Sequence, residues 1–194
     1  FVEENTLSYP QKHFAFHGTM AKVNNYHPEV ANSLIETAGF RKKDSFGYRM
    51  NERGQKLEFT MMSTSHRSIR QEIEQFIQMS WQKIGVKLDI QNQHERDFLE
   101  VTLPKRKFPH FALLSVLKDP FFHNDTFMSW YGIQSGFNNY QGLNFSGLKN
   151  IETSSIAEAA YREIDEQKWK ELLLRQQEIE VQEIPFIPLF FWSS

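Results

Sequence analysis

The chain has 194 residues, of which 40% are hydrophobic, and its formal net charge at pH 7 is −2. It is long enough to bury a core, and its weak charge excludes a bulk field that favours nucleic acid or an anionic membrane. Cysteine is absent, which excludes disulfides, thiolate metal sites and cysteine nucleophiles. No run of about 20 apolar residues predicts a transmembrane helix, and no secretory signal is visible.

The first part of the chain predicts a helix followed by a β-hairpin. Pro28 suits the first turn of a helix and Gly39 suits the left-handed conformation that ends one, so the apolar periodicity between them predicts a helix. Residues 46–50 and 57–62 are β-prone segments on either side of the turn sequence 51–54. We expect these two segments to pair as an antiparallel hairpin.

A second helix and a returning strand follow. Apolar residues recur at helical spacing from 69 to 84, Gly85 ends the pattern, and residues 86–90 alternate as a strand. We expect the core-facing stripe of this helix to comprise Ile69, Ile73, Phe76, Ile77 and Ile84. A helix that returns through a glycine to a strand indicates an α/β layer.

The second half of the chain predicts fewer regular elements. Residues 96–103 predict a short helix and residues 111–117 a buried strand. Residues 156–181 form a long amphipathic region, within which Asp165 restarts a helix. The apolar segment 184–191 contains prolines, which favour an edge or the end of a strand. No repeat or low-complexity linker divides the chain, so we expect a single domain.

No combination of side chains predicts catalysis. The seven histidines show no metal-binding spacing, and no phosphate-binding loop, dinucleotide fingerprint or nucleophile elbow is present. The hydroxyls within residues 63–66 stand at a strand-to-helix junction, where capping explains them better than nucleophilic chemistry does. The acidic pairs Glu72–Glu74 and Glu178–Glu180 are two residues apart and do not face each other on a helix. We therefore expect no catalytic residue, no metal site and no cofactor, and a protein that is not an enzyme.

Residues 121–150 mix aromatic and amide side chains, among them Trp130 and Asn144. Apolar walls with a few polar contacts are typical of a pocket for a small ligand. The alternative is that the aromatic residues belong to the core and the asparagines to turns. The residue types by themselves favour that alternative.

Six segments, in order along the chain, resemble one known family. Residues 26–40 are similar to Y-x-P-x-x-A-x-x-L-L-x-x-A-G-F/W, and residues 176–191 to Q-x-I-x-x-x-x-P-x-I-P-L-Y/F. Between them, residues 54–59 are similar to G-x-x-L-x-L and residues 78–88 to Q-x-x-L-x-x-I-G-I-x-V. Residues 119–120 are similar to D-P and residues 144–150 to N-x-S-G-Y-x-N. These six segments resemble the family 5 extracellular solute-binding proteins, which are the peptide-, dipeptide- and nickel-binding components of ABC importers.

The resemblance implies a fold and a set of ligand-binding residues. The implied fold is α/β, a mixed sheet flanked by helices, as in one lobe of a type II periplasmic-binding-protein fold. Residues 1–194 would be a single ligand-binding lobe from a longer, two-lobed protein, whose other lobe is a partner. Asp119, Asn144 and Trp130 would face the ligand, although Asp119 could instead cap a helix that begins at Pro120.

The function implied by the resemblance is that of the substrate-binding component of an ABC importer. Such a component captures peptides or a similar small solute between two lobes and delivers it to the permease subunits. The implied location is periplasmic or extracellular, with a membrane anchor upstream if the protein is a lipoprotein, and nucleic acid is not an expected partner. The alternative is the ligand-sensing domain of a transcription regulator built on the same fold.

Overall fold

The structure is a computed structural model that describes residues 2–4, 14–20, 26–65, 68–115 and 141–192. The chain divides into a middle unit, residues 27–117, and a terminal unit, residues 1–26 with 118–194. The prediction that residues 1–194 are one lobe of a longer protein stays a prediction.

In chain order the elements are β1 (Val2–Glu4), α1 (Pro28–Thr37), β2 (Lys42–Lys43), β3 (Arg49–Met50), β4 (Glu58–Thr64), α2 (Ser68–Lys83), β5 (Lys87–Gln93), α3 (Glu95–Asp97) with a π-helical turn (Phe98–Thr102), β6 (Phe111–Ala112), α4 (Ile151–Arg162), α5 (Glu166–Glu183) and β7 (Phe190–Trp192).

The middle unit is built on a parallel sheet with the strand order β5-β4-β6. Strands β4 and β5 pair along their whole length, from Glu58 opposite Lys87 to Thr64 opposite Gln93. Helix α2 connects them, which makes a βαβ unit of the kind that the sequence indicates. The short strand β6 pairs with the other side of β4.

The predicted hairpin between residues 46–50 and 57–62 forms only next to its turn, where the Leu57 N–H donates to the Arg49 carbonyl at 2.8 Å. Strand β3 pairs with β2 across a tight turn, in which Asp44 Oδ1 accepts hydrogen bonds from the backbone N–H of Phe46 and Tyr48, both at 2.9 Å. The turn sequence 51–54 does fold back, but it closes on a single bridge between Met50 and Lys56. Beyond that bridge the chain continues as β4, whose partners are the parallel strands.

The predicted inward face of α2 is also partly wrong. Phe76 is 67% exposed and Ile69 is exposed as well, whereas Ile73, Ile77 and Ile84 are partly buried. The buried residues of α2 are Arg70 and Glu74.

Two side chains fix this orientation of α2 on the sheet. Trp81 packs edge-on against Phe59 of β4 and Phe111 of β6, with ring centroids 5.8 and 5.3 Å apart. Gln78 Nε2 donates to the Leu88 carbonyl at 2.6 Å. The inward stripe of α2 therefore includes polar residues that bond to the sheet, and an apolar pattern alone does not locate it.

The terminal unit packs α4 against α5, and β1 pairs with β7 as an antiparallel ribbon. Its core combines Ala15 with Ile156, Ala157 and Ala160 of α4 and with Leu173 and Ile179 of α5. Asp165 begins α5 as predicted, because its carboxylate accepts from the Lys168 N–H at 2.9 Å. The predicted strand over 184–191 is shorter, since only Phe190–Trp192 pairs as β7 and the preceding residues contain Pro185 and Pro188.

None of the helices in the described ranges combines the length and the apolar composition that crossing a bilayer requires.

Candidate functional site

The carboxyl ends of the three parallel strands of the middle unit meet at one edge of the sheet. Thr64 at the end of β4 lies opposite Gln93 at the end of β5, and Met62 lies opposite Ala112 of β6. Ligands of open α/β sheets bind outside the carboxyl ends of the strands. This edge, which we call the carboxyl edge, is therefore the candidate site.

A buried arginine crosses the carboxyl edge. Arg70 projects from the first turn of α2 and is 8% exposed, and its guanidinium donates to Thr64 Oγ1 and, at 3.4 Å, to Ser115 Oγ. Thr64 ends β4, and Ser115 follows β6 by three residues. The guanidinium thus links two strand ends, and its positive charge and planar set of donors suit recognition of a carboxylate.

Further hydrogen bonds connect the elements that meet at the carboxyl edge. Thr102 Oγ1 donates to Gln93 Oε1 at 2.7 Å, which ties the π-helical turn to the end of β5. The Ser65 N–H donates to the Gln93 carbonyl at 2.8 Å, and Gln71 Nε2 donates to the Ser65 carbonyl at 2.8 Å. The ends of β4 and β5 are therefore joined to each other, to α2 and to the π-helical turn.

Ser63 belongs to the sheet rather than to a catalytic group. Its hydroxyl donates to the Leu113 carbonyl at 2.8 Å and its side chain is fully buried. A buried hydroxyl that already donates its hydrogen bond to a backbone carbonyl is not positioned to act as a nucleophile.

The structure describes only one of the three predicted ligand-binding residues. Asp119 and Trp130 lie outside the described residues. Asn144 is described in the terminal unit and is 2% exposed. Its Oδ1 accepts from the Leu148 N–H at 3.1 Å and its Nδ2 donates to the Leu148 carbonyl at 3.0 Å, so its amide closes the 144–148 turn. A ligand contact by any of the three stays a prediction.

Sequence reasoning did not select Arg70, Gln93 or Ser115. The available signal was positional: Arg70 follows a strand-to-helix junction, Gln93 ends one neighbouring strand and Ser115 follows the other. In a parallel sheet these positions meet at one edge, but the parallel pairing has to be known first. Among the described residues no three His, Cys, Asp or Glu side chains stand close enough together to hold a metal ion.

The parallel sheet with a polar carboxyl edge defines an α/β ligand-binding domain. The chain belongs to the bacterial extracellular solute-binding proteins, family 5, whose sequence model for the middle region matches residues 2–139. A protein of Deinococcus radiodurans named as a probable ABC transporter-binding protein is 35% identical over 65 residues, which are 34% of this chain and 11% of that protein.

Solved structures share the fold. The periplasmic oligopeptide-binding protein of a Thermotoga maritima oligopeptide ABC transporter superposes with a TM-score of 0.79 at 19% identity, over 100% of this chain and 37% of that chain. NikZ from Campylobacter jejuni, in complex with Ni(L-His), superposes with a TM-score of 0.69 at 22% identity, over 98% of this chain and 36% of that chain. These likenesses confirm the predicted α/β fold of type II periplasmic binding proteins. The chain spans little more than a third of either structure.

Proposed function

We propose that the chain is part of the substrate-binding component of an ABC importer, which captures a peptide or a similar small solute and delivers it to permease subunits. The observation that carries the proposal is membership of the extracellular solute-binding family across residues 2–139. The relatives named above are binding proteins of transporters. Capture and delivery require a ligand surface and closure of the protein around it, and no bond is made or broken. We accordingly propose that the protein is not an enzyme.

The position of the carboxyl edge supports this proposal. Ligands of open α/β sheets bind outside the carboxyl ends of the strands. Here Thr64, Gln93 and Ser115 bring polar side chains to that edge. We propose that the ligand lies outside this edge.

The proposal includes Asp119 and Trp130 as ligand contacts. A carboxylate at Asp119 would receive a cationic group of the ligand, and the indole of Trp130 would supply an apolar wall. Asn144 would shape the 144–148 turn, and the proposal also includes a direct contact between Asn144 and the ligand. The proposed location is periplasmic or extracellular, with a membrane anchor upstream if the protein is a lipoprotein.

Calorimetry on the complete natural protein tests this function. We expect saturable binding of short peptides, with Ni(L-His) as a second probe. Asp119→Asn should weaken the affinity for the bound probe about tenfold or more, because a desolvated charge-assisted hydrogen bond contributes about 1.5–3 kcal/mol.

The matched control is Asp97→Asn, which changes an exposed aspartate of α3 and should leave the affinity unchanged. A lower melting temperature with unaltered affinity in Asp119→Asn would assign Asp119 to a helix cap instead. Absence of binding to both probes would count against the proposed ligand classes.

A further inference from the structure

A polar groove lies between α2 and β5 in the middle unit, and its lining reaches Gln71 and Asn92 beside the carboxyl edge. Its volume is about 530 Å³. Helix α2 contributes Gln71, Glu74, Gln75 and Gln78 at helical spacing, and β5 contributes residues 89–92. Of the described residues that line the groove, none is a lysine or an arginine, and two are carboxylic acids.

Glu74 is the unusual member of this set. It is 1% exposed, and its Oε2 accepts a hydrogen bond from Asn92 Nδ2 at 2.7 Å. Its second oxygen, Oε1, and the Asn92 oxygen, Oδ1, are both buried and accept no hydrogen bond from any described residue. Two buried acceptors thus belong to a pair of hydrogen-bonded side chains that line the groove, and buried acceptors without a donor are costly.

The arrangement selects a donor of a particular kind. A guanidinium binds a carboxylate best through both oxygens, but Glu74 Oε2 is already occupied by Asn92. A primary ammonium is a compact point charge with three donors, which is enough for one hydrogen bond to Glu74 Oε1 and one to Asn92 Oδ1. The groove is also lined by Gln71, Gln75 and Gln78, whose side-chain carbonyl is an acceptor type suited to the remaining proton of the ammonium.

A metal ion suits the groove less well. Its charged oxygen ligands are Glu74 and Asp89, and Asp89 is already bonded to the Lys87 ammonium at 3.1 Å. Divalent cations prefer several carboxylate or water oxygens at short distance, and no group of three His, Cys, Asp or Glu suited to a metal occurs in the described ranges.

We propose that this groove is a binding site for a primary ammonium group, carried either by a small free amine or by the lysine side chain of a peptide. Glu74 supplies the charge, Asn92 supplies the second acceptor, and α2 and β5 form the walls. Of the described side chains assigned to the proposed capture of substrate at the carboxyl edge, which are Thr64, Arg70, Gln93 and Ser115, none lines the groove.

Calorimetry on the complete protein tests this site with two probes. These are 1,4-diaminobutane and a short peptide, acetyl-Gly-Lys-Gly-amide, which has no free α-amine. We expect saturable binding of at least one probe, and Glu74→Gln should weaken that binding at least about tenfold, since the charge of the acceptor is lost. Binding of the diamine alone would identify a free amine as the ligand, and binding of the peptide alone would identify a lysine side chain.

The matched control is Glu72→Gln, which makes the same change on an exposed glutamate of α2 outside the groove and should leave amine binding intact. Glu74→Gln should also keep the affinity for substrate at the carboxyl edge, so failure here is distinguishable from failure of the proposed function. Equal amine binding by wild type and Glu74→Gln, preference for methylguanidinium or Ca²⁺ over the amine, or no binding of either probe would overturn the proposal.

A second variant keeps the test decisive if Glu74→Gln does not fold. Asn92→Asp places a second carboxylate beside Glu74, so the free protein should melt at a lower temperature than wild type. An ammonium between the two carboxylates offsets their repulsion, and the amine should therefore raise the melting temperature of Asn92→Asp more than that of wild type. An equal response of both proteins to the amine contradicts the proposed site.

Discussion

Arg49 shows how a single buried side chain joins three elements of the middle unit. It is 4% exposed, and its guanidinium donates to the Ile84 carbonyl at 2.9 Å and to the Phe40 carbonyl at 3.0 Å. It also reaches the side chains of Asn32 and Glu36 on α1, at 2.8 and 3.1 Å. The Ile84 carbonyl directly follows α2, where a helix leaves acceptors unpaired, whereas Phe40 lies in the loop after α1. Arg49 therefore caps α2 and ties its end to α1 and to the loop that follows α1.

Gly85 is required by this arrangement, and a comparison of two glycines tests why. Gly39 and Gly85 both have a positive φ, +96° and +82°, so alanine costs about 1 kcal/mol at either position from backbone strain. A Cβ at Gly39 meets nothing within 4 Å, whereas a Cβ at Gly85 meets Arg49 Cγ at 2.7 Å and the Gly47 carbonyl oxygen at 3.1 Å. Gly85→Ala should lower the free energy of unfolding by at least about 1 kcal/mol more than Gly39→Ala does. Urea denaturation of the two variants measures the difference, and equal midpoints would show that Arg49 moves aside without cost.

At the scale of elements, helix ends were predictable and strand partners were not. Gly39, Gly85 and Asp165 end or begin helices through chemistry within one turn of the chain, so the sequence locates them. Asp44 and Asn51 each accept two backbone N–H groups and close a turn on either side of β3. Local turn chemistry therefore does not show that the longer pairing of β3 is with β2. The inward face of α2 depends on long-range contacts of Trp81 and Gln78, which an apolar pattern does not contain.

The two helices of the terminal unit are joined by an arginine between two glutamates. Arg175 of α5 donates to both carboxylate oxygens of Glu152 on α4, at 2.7 and 3.1 Å, and to Glu178 at 2.6 Å. The hydrogen bond from Arg175 holds the pKa of Glu152 and of Glu178 below the ordinary value of 4.5. His17 lies 3.5 Å from Glu178 and adds a smaller lowering of its pKa.

These lowered pKa values predict how the stability of the terminal unit depends on pH. A carboxyl group whose folded-state pKa is lowered stabilises the fold above its unfolded pKa, here near 4.5, and loses that contribution as the pH falls through the folded pKa. Arg175→Met should therefore lower the urea midpoint above pH 5, and the difference from wild type should shrink as the pH falls below 4.5.

The control for this prediction is Arg162→Met. Arg162 forms an exposed pair with Glu158 on the same helix, so its loss should change the midpoint little at any pH. A difference between wild type and Arg175→Met that stays constant from pH 6 to pH 3 would show that Arg175 acts by packing and not through the carboxylates.

At the scale of the whole molecule, the family and the α/β fold were predictable, whereas the predicted place of the ligand site in the chain stays a prediction. Asp119 is predicted as a ligand contact only from the family resemblance, because an Asp-Pro pair alone does not indicate a binding site. The carboxyl edge is visible only in the structure, since Arg70, Gln93 and Ser115 are far apart in sequence and are brought to one edge by parallel pairing. Physical reasoning from sequence finds local chemistry, whereas a site assembled from several strand ends requires the topology.

The chain matches only part of a solved relative, and this leads to a prediction about ligand affinity. The chain covers 37% of the Thermotoga maritima oligopeptide-binding protein. Binding sites for small ligands bury about 70–90% of the ligand surface. If the ligand lies between this lobe and another, the 194-residue chain alone supplies only part of that burial. We expect its affinity for peptide to be at least about 100-fold weaker than that of the complete protein, a loss of about 2.7 kcal/mol. Calorimetry of both proteins measures this, after circular dichroism has shown that the shorter chain is folded. Equal affinities would place the whole ligand site within these residues and would contradict capture between two lobes.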